Sequence, residues 1–164
     1  MNSNIAFIGL GSNLGNREEN IKIAFQKIEK VTNIKIIKSS SIINTKPVGI
    51  TNQPDFLNCV IQINTILEPE PLLYELLKIE KEMGRVRKQK WCPRIIDLDI
   101  LFFYNVILET ENLTIPHPEI LNRKFVLTSM KEIAPKFVHP REKKTIEEIF
   151  EKVLGRNKSN NRVF

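Results

Sequence analysis

Cysteine is almost absent: Cys59 and Cys92 are the only two in 164 residues, and they lack metal-ligand spacing. That excludes a disulfide framework and a thiolate zinc site, and leaves two reduced thiols read as small buried side chains. No apolar run approaches the ~20 residues of a membrane span. Met-Asn-Ser-Asn leads straight into an apolar stretch without the basic region and cleavage site of a signal peptide, so a cytoplasmic protein is expected. Also missing are internal repeats, heptads and linkers. The glycines at 9, 11 and 15 do not form a dinucleotide fingerprint, and no Gly-Lys-Ser/Thr supplies a phosphate-cradling loop.

What is present is positive charge. Lysine and arginine number 25 against 19 acids, a net charge of +6. Such a surface suits nucleic acid, an anionic membrane or a polyanionic small substrate, and composition does not choose among them. The length fits a single domain, 1–164, able to bury its core without a structural metal.

Residues 5–10 form a short apolar run suited to a central strand. A Gly-rich turn follows, then Asn16 as N-cap with Glu19 three residues on, before Ile21, Ala24, Phe25 and Ile28 at helical spacing. Residues 34–43 predict a second strand, 45–55 a long loop of the kind that is often functional, and 56–67 a third strand carrying Asn58. Acids and prolines at 68–71 open a second helix with Leu72, Leu76, Ile79 and Met83 as its stripe, and Gly84 stops it. Glu80 lies close to that stripe. A strand over 95–104, a short hairpin over 106–113 and helices over 122–134 and 145–154 follow, with 155–164 expected as a frayed tail. The order gives an α/β (α+β) fold: a ferredoxin-like βαββαβ core with an antiparallel sheet, helices on its faces and a C-terminal helical extension.

The most informative stretch is 84–103. A basic loop bearing Arg85, Arg87, Lys88, Lys90 and Arg94 runs into an apolar strand that starts with Asp97 and Asp99. Side chains two apart in a strand share a face, with Cα atoms roughly 6.5 Å apart. Two like charges that close call for a cation, and oxygen-only ligands favour Mg²⁺ over zinc. Carboxylates for a hard metal beside cations for phosphate make a Mg²⁺-nucleotide site the leading reading. The bland alternative is a carboxylate pair bonded to a neighbouring arginine.

Seven stretches in order, residues 9–15 (Gly-Leu-Gly-Ser-Asn-Leu-Gly), 53–58 (Gln-Pro-Asp-Phe-Leu-Asn), 84–87 (Gly-Arg-Val-Arg), 93–101 (Pro-Arg-Ile-Ile-Asp-Leu-Asp-Ile-Leu), 116–118 (Pro-His-Pro), 122–127 (Asn-Arg-Lys-Phe-Val-Leu) and 132–135 (Glu-Ile-Ala-Pro), carry a resemblance over nearly the whole chain. Together the chain resembles the 6-hydroxymethyl-7,8-dihydropterin pyrophosphokinases of folate biosynthesis. The resemblance implies transfer of an intact pyrophosphoryl group from MgATP to the pterin hydroxymethyl oxygen, releasing AMP. It implies two Mg²⁺ ions on Asp97 and Asp99, with Arg85, Arg94 and Asp97 as catalytic residues. ATP would be met by Glu80, Arg85, Arg87, Trp91, Arg94, Ile100, His117 and Arg123. Thr45, Val48, Phe56, Asn58, Trp91, Asp97 and Phe125 would meet the pterin: aromatic faces clamp a flat ring and an amide reads its edge. Trp91 in the basic loop suggests a lid.

Cys92 stands where the family often has glycine, the loop between Arg87 and Trp91 is short, and Lys46 precedes Pro47 where another proline is common. Those departures touch the lid and leave the metal, arginine and pterin positions intact. The expected partners are small molecules, with no nucleic acid, no membrane and a monomeric state. An RNA-binding module is the rival from another class, but the aromatic signature of such a sheet is lacking and the acidic pair would repel phosphate without metal. A regulatory domain that binds MgATP alone is the second rival.

Overall fold

The computed structural model describes residues 2–86 and 92–160, so Arg87 and Trp91 lie outside the described residues. The elements run β1 (Asn4–Ser12), α1 (Arg17–Glu29), β2 (Ile34–Ser39), β3 (Ile43–Thr45), β4 (Phe56–Thr65), α2 (Pro69–Glu82), β5 (Asp97–Phe103), β6 (Leu108–Glu109), β7 (Thr114–Ile115), a 3₁₀ turn (Ile120–Asn122), α3 (Lys124–Ile133) and α4 (Ile146–Asn160). The main sheet is ordered β2-β4-β1-β5, and β3 also pairs with β4. Every pairing is antiparallel. With β2 and β3 taken as one interrupted strand, this is the ferredoxin-like arrangement.

The interruption corrects the single strand expected over 34–43, and serine is its cause. Ser40 donates its N–H to the Val60 carbonyl while its hydroxyl accepts from the Val60 N–H, both at 2.9 Å. Ser41 turns its N–H and hydroxyl to the Glu132 carboxylate. Short polar side chains compete here with the strand ladder.

Alternation along the strands builds two cores. Ala6, Ile8, Leu10, Ile61, Ile63, Leu98 and Ile100 pack with Ile21, Ala24 and Ile28 of α1 and Leu72, Leu76 and Ile79 of α2. On the opposite face Phe7, Val60, Leu101 and Phe102 meet Val126, Leu127 and Met130 of α3 and Ile146 and Ile149 of α4. The α1 N-cap is as expected, Asn16 Oδ1 accepting from the Glu19 N–H at 3.1 Å. Gly84 follows α2 with φ +88°, a left-handed turn that glycine adopts without strain. α4 continues to Asn160, past the expected end at 154. One glycine costs a helix only about 1 kcal/mol, too little to stop one anchored on its apolar face.

A bulge in β5 matters for the site. Ile8 pairs with Ile100 and Phe7 with Phe102, so Leu101 is the extra residue. Leu101 and Phe102 consequently both enter the second core. The bulged Leu101 carbonyl accepts the His117 N–H at 2.9 Å. Beside it β6 and β7 form a hairpin, Leu108 opposite Ile115, whose second strand lies just past the 106–113 expected for it.

Candidate active site

Cross-strand pairing sets Ile43, Asn58, Gly11 and Asp97 in one row across the sheet, with Val60, Gly9 and Asp99 in another. Directly paired residues point to the same face. This is the face that α3 and α4 cover further along, and Gly11, with no side chain, lies between Asn58 and Asp97 in the first row. Asp97 is held by Arg85 Nη1 on one oxygen, at 2.8 Å, and by Arg94 Nη1 on the other, at 3.3 Å. Glu80 is buried rather than solvated, only 3% exposed. Its Oε1 accepts the Leu98 N–H at 2.8 Å and pairs with Arg85 at 2.5 Å. Burial opposes the charge on Arg85, yet Asp97 and Glu80 together raise its pKa above the ordinary value.

Asp99 is different. Burial, and then the charge of Asp97 beside it, push its carboxyl up to about 7, against the pull of Arg123 and Arg85. No ion pair to Asp99 within 4 Å occurs among the described residues. Burial and a like charge favour the protonated form of this carboxyl, and a cation brought beside it would favour the charged one. The same residues offer no cluster of three His, Cys, Asp or Glu side chains. Zinc is therefore poorly served, while Mg²⁺, which keeps waters and shares phosphate oxygens, needs only one or two carboxylates.

A cleft of about 670 Å³ opens from this point, and Glu80, Arg85, Arg94, Asp97, Asp99, Ile100, His117 and Arg123 line it. A small pocket of about 60 Å³ is lined by Thr45, Val48, Phe56, Asn58, Phe125, Arg94, Asp97 and Arg123. Arg94, Asp97 and Arg123 thus form a wall common to both cavities. In the pocket, Asn58 Nδ2 donates to Thr45 Oγ1 at 2.6 Å, and the Arg94 guanidinium lies 5.7 Å from the Phe56 ring centre. Arg94 Nε is buried without a hydrogen-bond partner among the described residues. His117 follows the cis Ile115–Pro116 bond. Burial, and then Arg123, lower its pKa, while its Nδ1 accepts the Glu119 N–H at 3.2 Å.

Three groups escape the sequence reading. Asn13, 1% exposed, accepts the Arg94 N–H at 2.8 Å and gives its amide hydrogens to Gln53 Oε1 and the Pro54 carbonyl. It ties the Gly-rich turn to the 45–55 loop and to Arg94 at once. Leu73, Leu77 and Leu113 give the large cleft an apolar wall. Their signal was a second apolar pair four apart on α2, adjoining the buried stripe. His139 is the third: 4% exposed and edge-on to Phe102 at 5.2 Å, it accepts the Arg141 and Glu142 N–H groups at Nδ1.

A family model described as 7,8-dihydro-6-hydroxymethylpterin-pyrophosphokinase matches residues 7–135. The chain belongs to that family. Among its relatives, the Haemophilus influenzae 2-amino-4-hydroxy-6-hydroxymethyldihydropteridine pyrophosphokinase is 44% identical over 135 residues, 82% of this chain and 84% of that protein. The Bacillus subtilis protein of the same name is 44% identical over 131 residues, 80% of this chain and 78% of that one. The Pneumocystis carinii folic acid synthesis protein is 45% identical over 150 residues, 90% of this chain, but the chain spans only 20% of its length. A Plasmodium falciparum HPPK-DHPS crystal structure with pteroate superposes with a TM-score of 0.78 at 17% identity, covering 99% of this chain and 44% of that one. At that identity the likeness concerns the fold. Within this pyrophosphokinase family member, residues from 53–58, 84–86, 93–101, 116–118 and 122–127 line the two adjoining cavities, Gly11 of the first stretch lies beside Asn58, and Glu132 of the last ties to Ser41.

Proposed function

We propose that the chain transfers the pyrophosphoryl group of MgATP to the hydroxymethyl oxygen of 6-hydroxymethyl-7,8-dihydropterin, giving the pterin diphosphate and AMP. The observation that carries this reading is the wall of Arg94, Asp97 and Arg123 shared by a large cleft and a small pocket. Transfer between two bound substrates needs their reacting atoms side by side, and a common charged wall provides that. In this reading the nucleotide base rests on Leu73, Leu77, Ile100 and Leu113, and the triphosphate runs along Arg85, His117 and Arg123. The pterin lies between Phe56 and Phe125, its amide edge on Asn58.

The pterin hydroxyl attacks the β-phosphorus. Its proton passes to solvent or to Asp97, and the bond to the α-phosphate oxygen breaks, so that charge accumulates on the leaving AMP. Arg85 and Arg94 are forks suited to take up that charge. Asp97 and Asp99 are the residues that would hold Mg²⁺, two ions in our reading, which when bound neutralises the phosphates and lowers the cost of deprotonating the hydroxyl. We further propose that Arg87 and Trp91 contact the substrates from the loop outside the described residues, and that the enzyme acts as a cytoplasmic monomer.

The decisive measurement is AMP release from MgATP with and without the pterin. Pterin-dependent AMP with an equal yield of pterin diphosphate supports the assignment. Release of ADP, or AMP formation indifferent to the pterin, overturns it.

A further inference from the structure

The motif Gly9-Leu10-Gly11 places two glycines in β1 on the face of the site, and they are not equivalent: only Gly11 lies against Asn58. A methyl group at Gly9 would touch only Leu101 side-chain atoms at 3.5 Å, an ordinary contact. A methyl group at Gly11 would lie 2.7 Å from Asn58 Oδ1, closer than atoms tolerate. Neither glycine has the positive φ that would by itself demand glycine. What requires glycine at 11 is therefore the amide of Asn58 on the neighbouring strand.

That amide has little room to yield. Its Nδ2 is tied to Thr45 Oγ1 at 2.6 Å, the residue is 8% exposed, and Gly11 is its direct cross-strand partner. On its other side Gly11 pairs with Asp97. We propose that Gly11 is a specificity-determining position: its bare Cα fixes the orientation in which Asn58 presents its amide and keeps the floor flat between that amide and Asp97. The inference rests on the pterin reading of the small pocket. A side chain at 11 would turn the Asn58 amide out of its bond with Thr45. Because only the end of one side chain must move, the fold would survive while the hydrogen-bond pattern offered to the ring edge is lost. Gly11 does not line the large cleft and adjoins it only through the backbone of Asp97, so that cleft would keep its lining.

Steady-state kinetics of Gly11→Ala, with Gly9→Ala as its matched control, test this. For Gly11→Ala the KM for pterin should rise about ten-fold or more, as for a misplaced buried hydrogen bond, with the KM for MgATP unchanged. Gly9→Ala should keep the wild-type KM for pterin. Since Gly11 acts through Asn58, adding Gly11→Ala to an Asn58→Ala protein should cost little more, a strongly non-additive cycle. Equal losses toward both substrates, an effect of Gly9→Ala as large as that of Gly11→Ala, or additivity with Asn58→Ala would each overturn the inference. A wild-type protein that fails to use the pterin at all would instead overturn the function on which it rests.

Discussion

At the scale of single residues, the two aspartates carry different loads although they sit two apart. Asp97 is paired with both Arg85 and Arg94, whereas Asp99, buried beside it, feels Arg123 and Arg85 only at a distance and has no ion pair within 4 Å among the described residues. Asp99→Ala should lower pterin-dependent AMP formation by about 10²-fold or more with the thermal midpoint retained, since only a charge-stabilising ligand is lost. Asp97→Ala should be at least as damaging and should also release both arginines; retained turnover at saturating Mg²⁺ would sink the metal assignment. Asn58→Leu should weaken pterin binding by about 1–3 kcal/mol and leave ATP binding alone, measured by titrating each ligand separately. An equal loss for both ligands would mark a structural asparagine. The aspartate pair was legible in sequence because strand periodicity alone puts it on one face. The burial of Glu80 was not, because its partners, Leu98 and Arg85, come together only when α2 packs on β5.

At the scale of elements, much of the fold could be read from periodicity, caps and breakers: the Asn16 cap, the prolines opening α2 and the closing Gly84 all act within one or two turns of chain. What could not be read depends on contacts distant in sequence. The break between β2 and β3 comes from Ser40 bonding to Val60 and Ser41 to Glu132, 20 and 91 residues away. Asn13 likewise acts on Gln53, 40 residues on, and on Arg94, 81 residues on. Asn13→Ala should cost about 1–3 kcal/mol in chemical denaturation, because it leaves the Arg94 N–H without its acceptor. It should lower kcat as well as pterin affinity, while Asn13→Asp, which keeps that acceptor, should restore part of the turnover. His139 gives a pH prediction with a definite sign. Burial lowers its folded pKa below the ordinary 6.5, aided by Arg141 and opposed by Glu142. The unfolded chain therefore takes up the proton first, so its contribution is complete above the unfolded value and is lost as pH falls through the folded one. Urea midpoints should decline on acidification more steeply in the wild type than in His139→Asn; parallel curves would refute this.

At the scale of the whole molecule, the two cores on opposite faces of the sheet stabilise the fold, and neither includes a metal ligand. Chelation with EDTA should therefore abolish turnover while leaving the circular dichroism spectrum and the melting temperature of the free protein unchanged. A coincident loss of structure would make the metal structural. No helix among the described residues is long and apolar enough to cross a membrane. The net charge of +6 was ambiguous in composition; in the structure Arg85, Arg94 and Arg123 line the large cleft, and Arg94 and Arg123 also line the small pocket beside it.

The parking of Arg85 and Arg94 on Asp97 has a further consequence. Before substrate arrives, Arg85 and Arg94 are already paired, with Asp97 between them and Glu80 on Arg85, so neither guanidinium stands as a bare charge. ATP carrying the two divalent ions proposed above would itself be a nearly neutral package. In the proposed reading, loading would resemble ion exchange on a resin: Asp97 would trade arginine for metal and the arginines would trade carboxylate for phosphate, with little change in total charge. Such a swap avoids the large desolvation cost of creating bare ions in a buried place, and it makes phosphate capture by the arginines conditional on the metal relieving Asp97 of them.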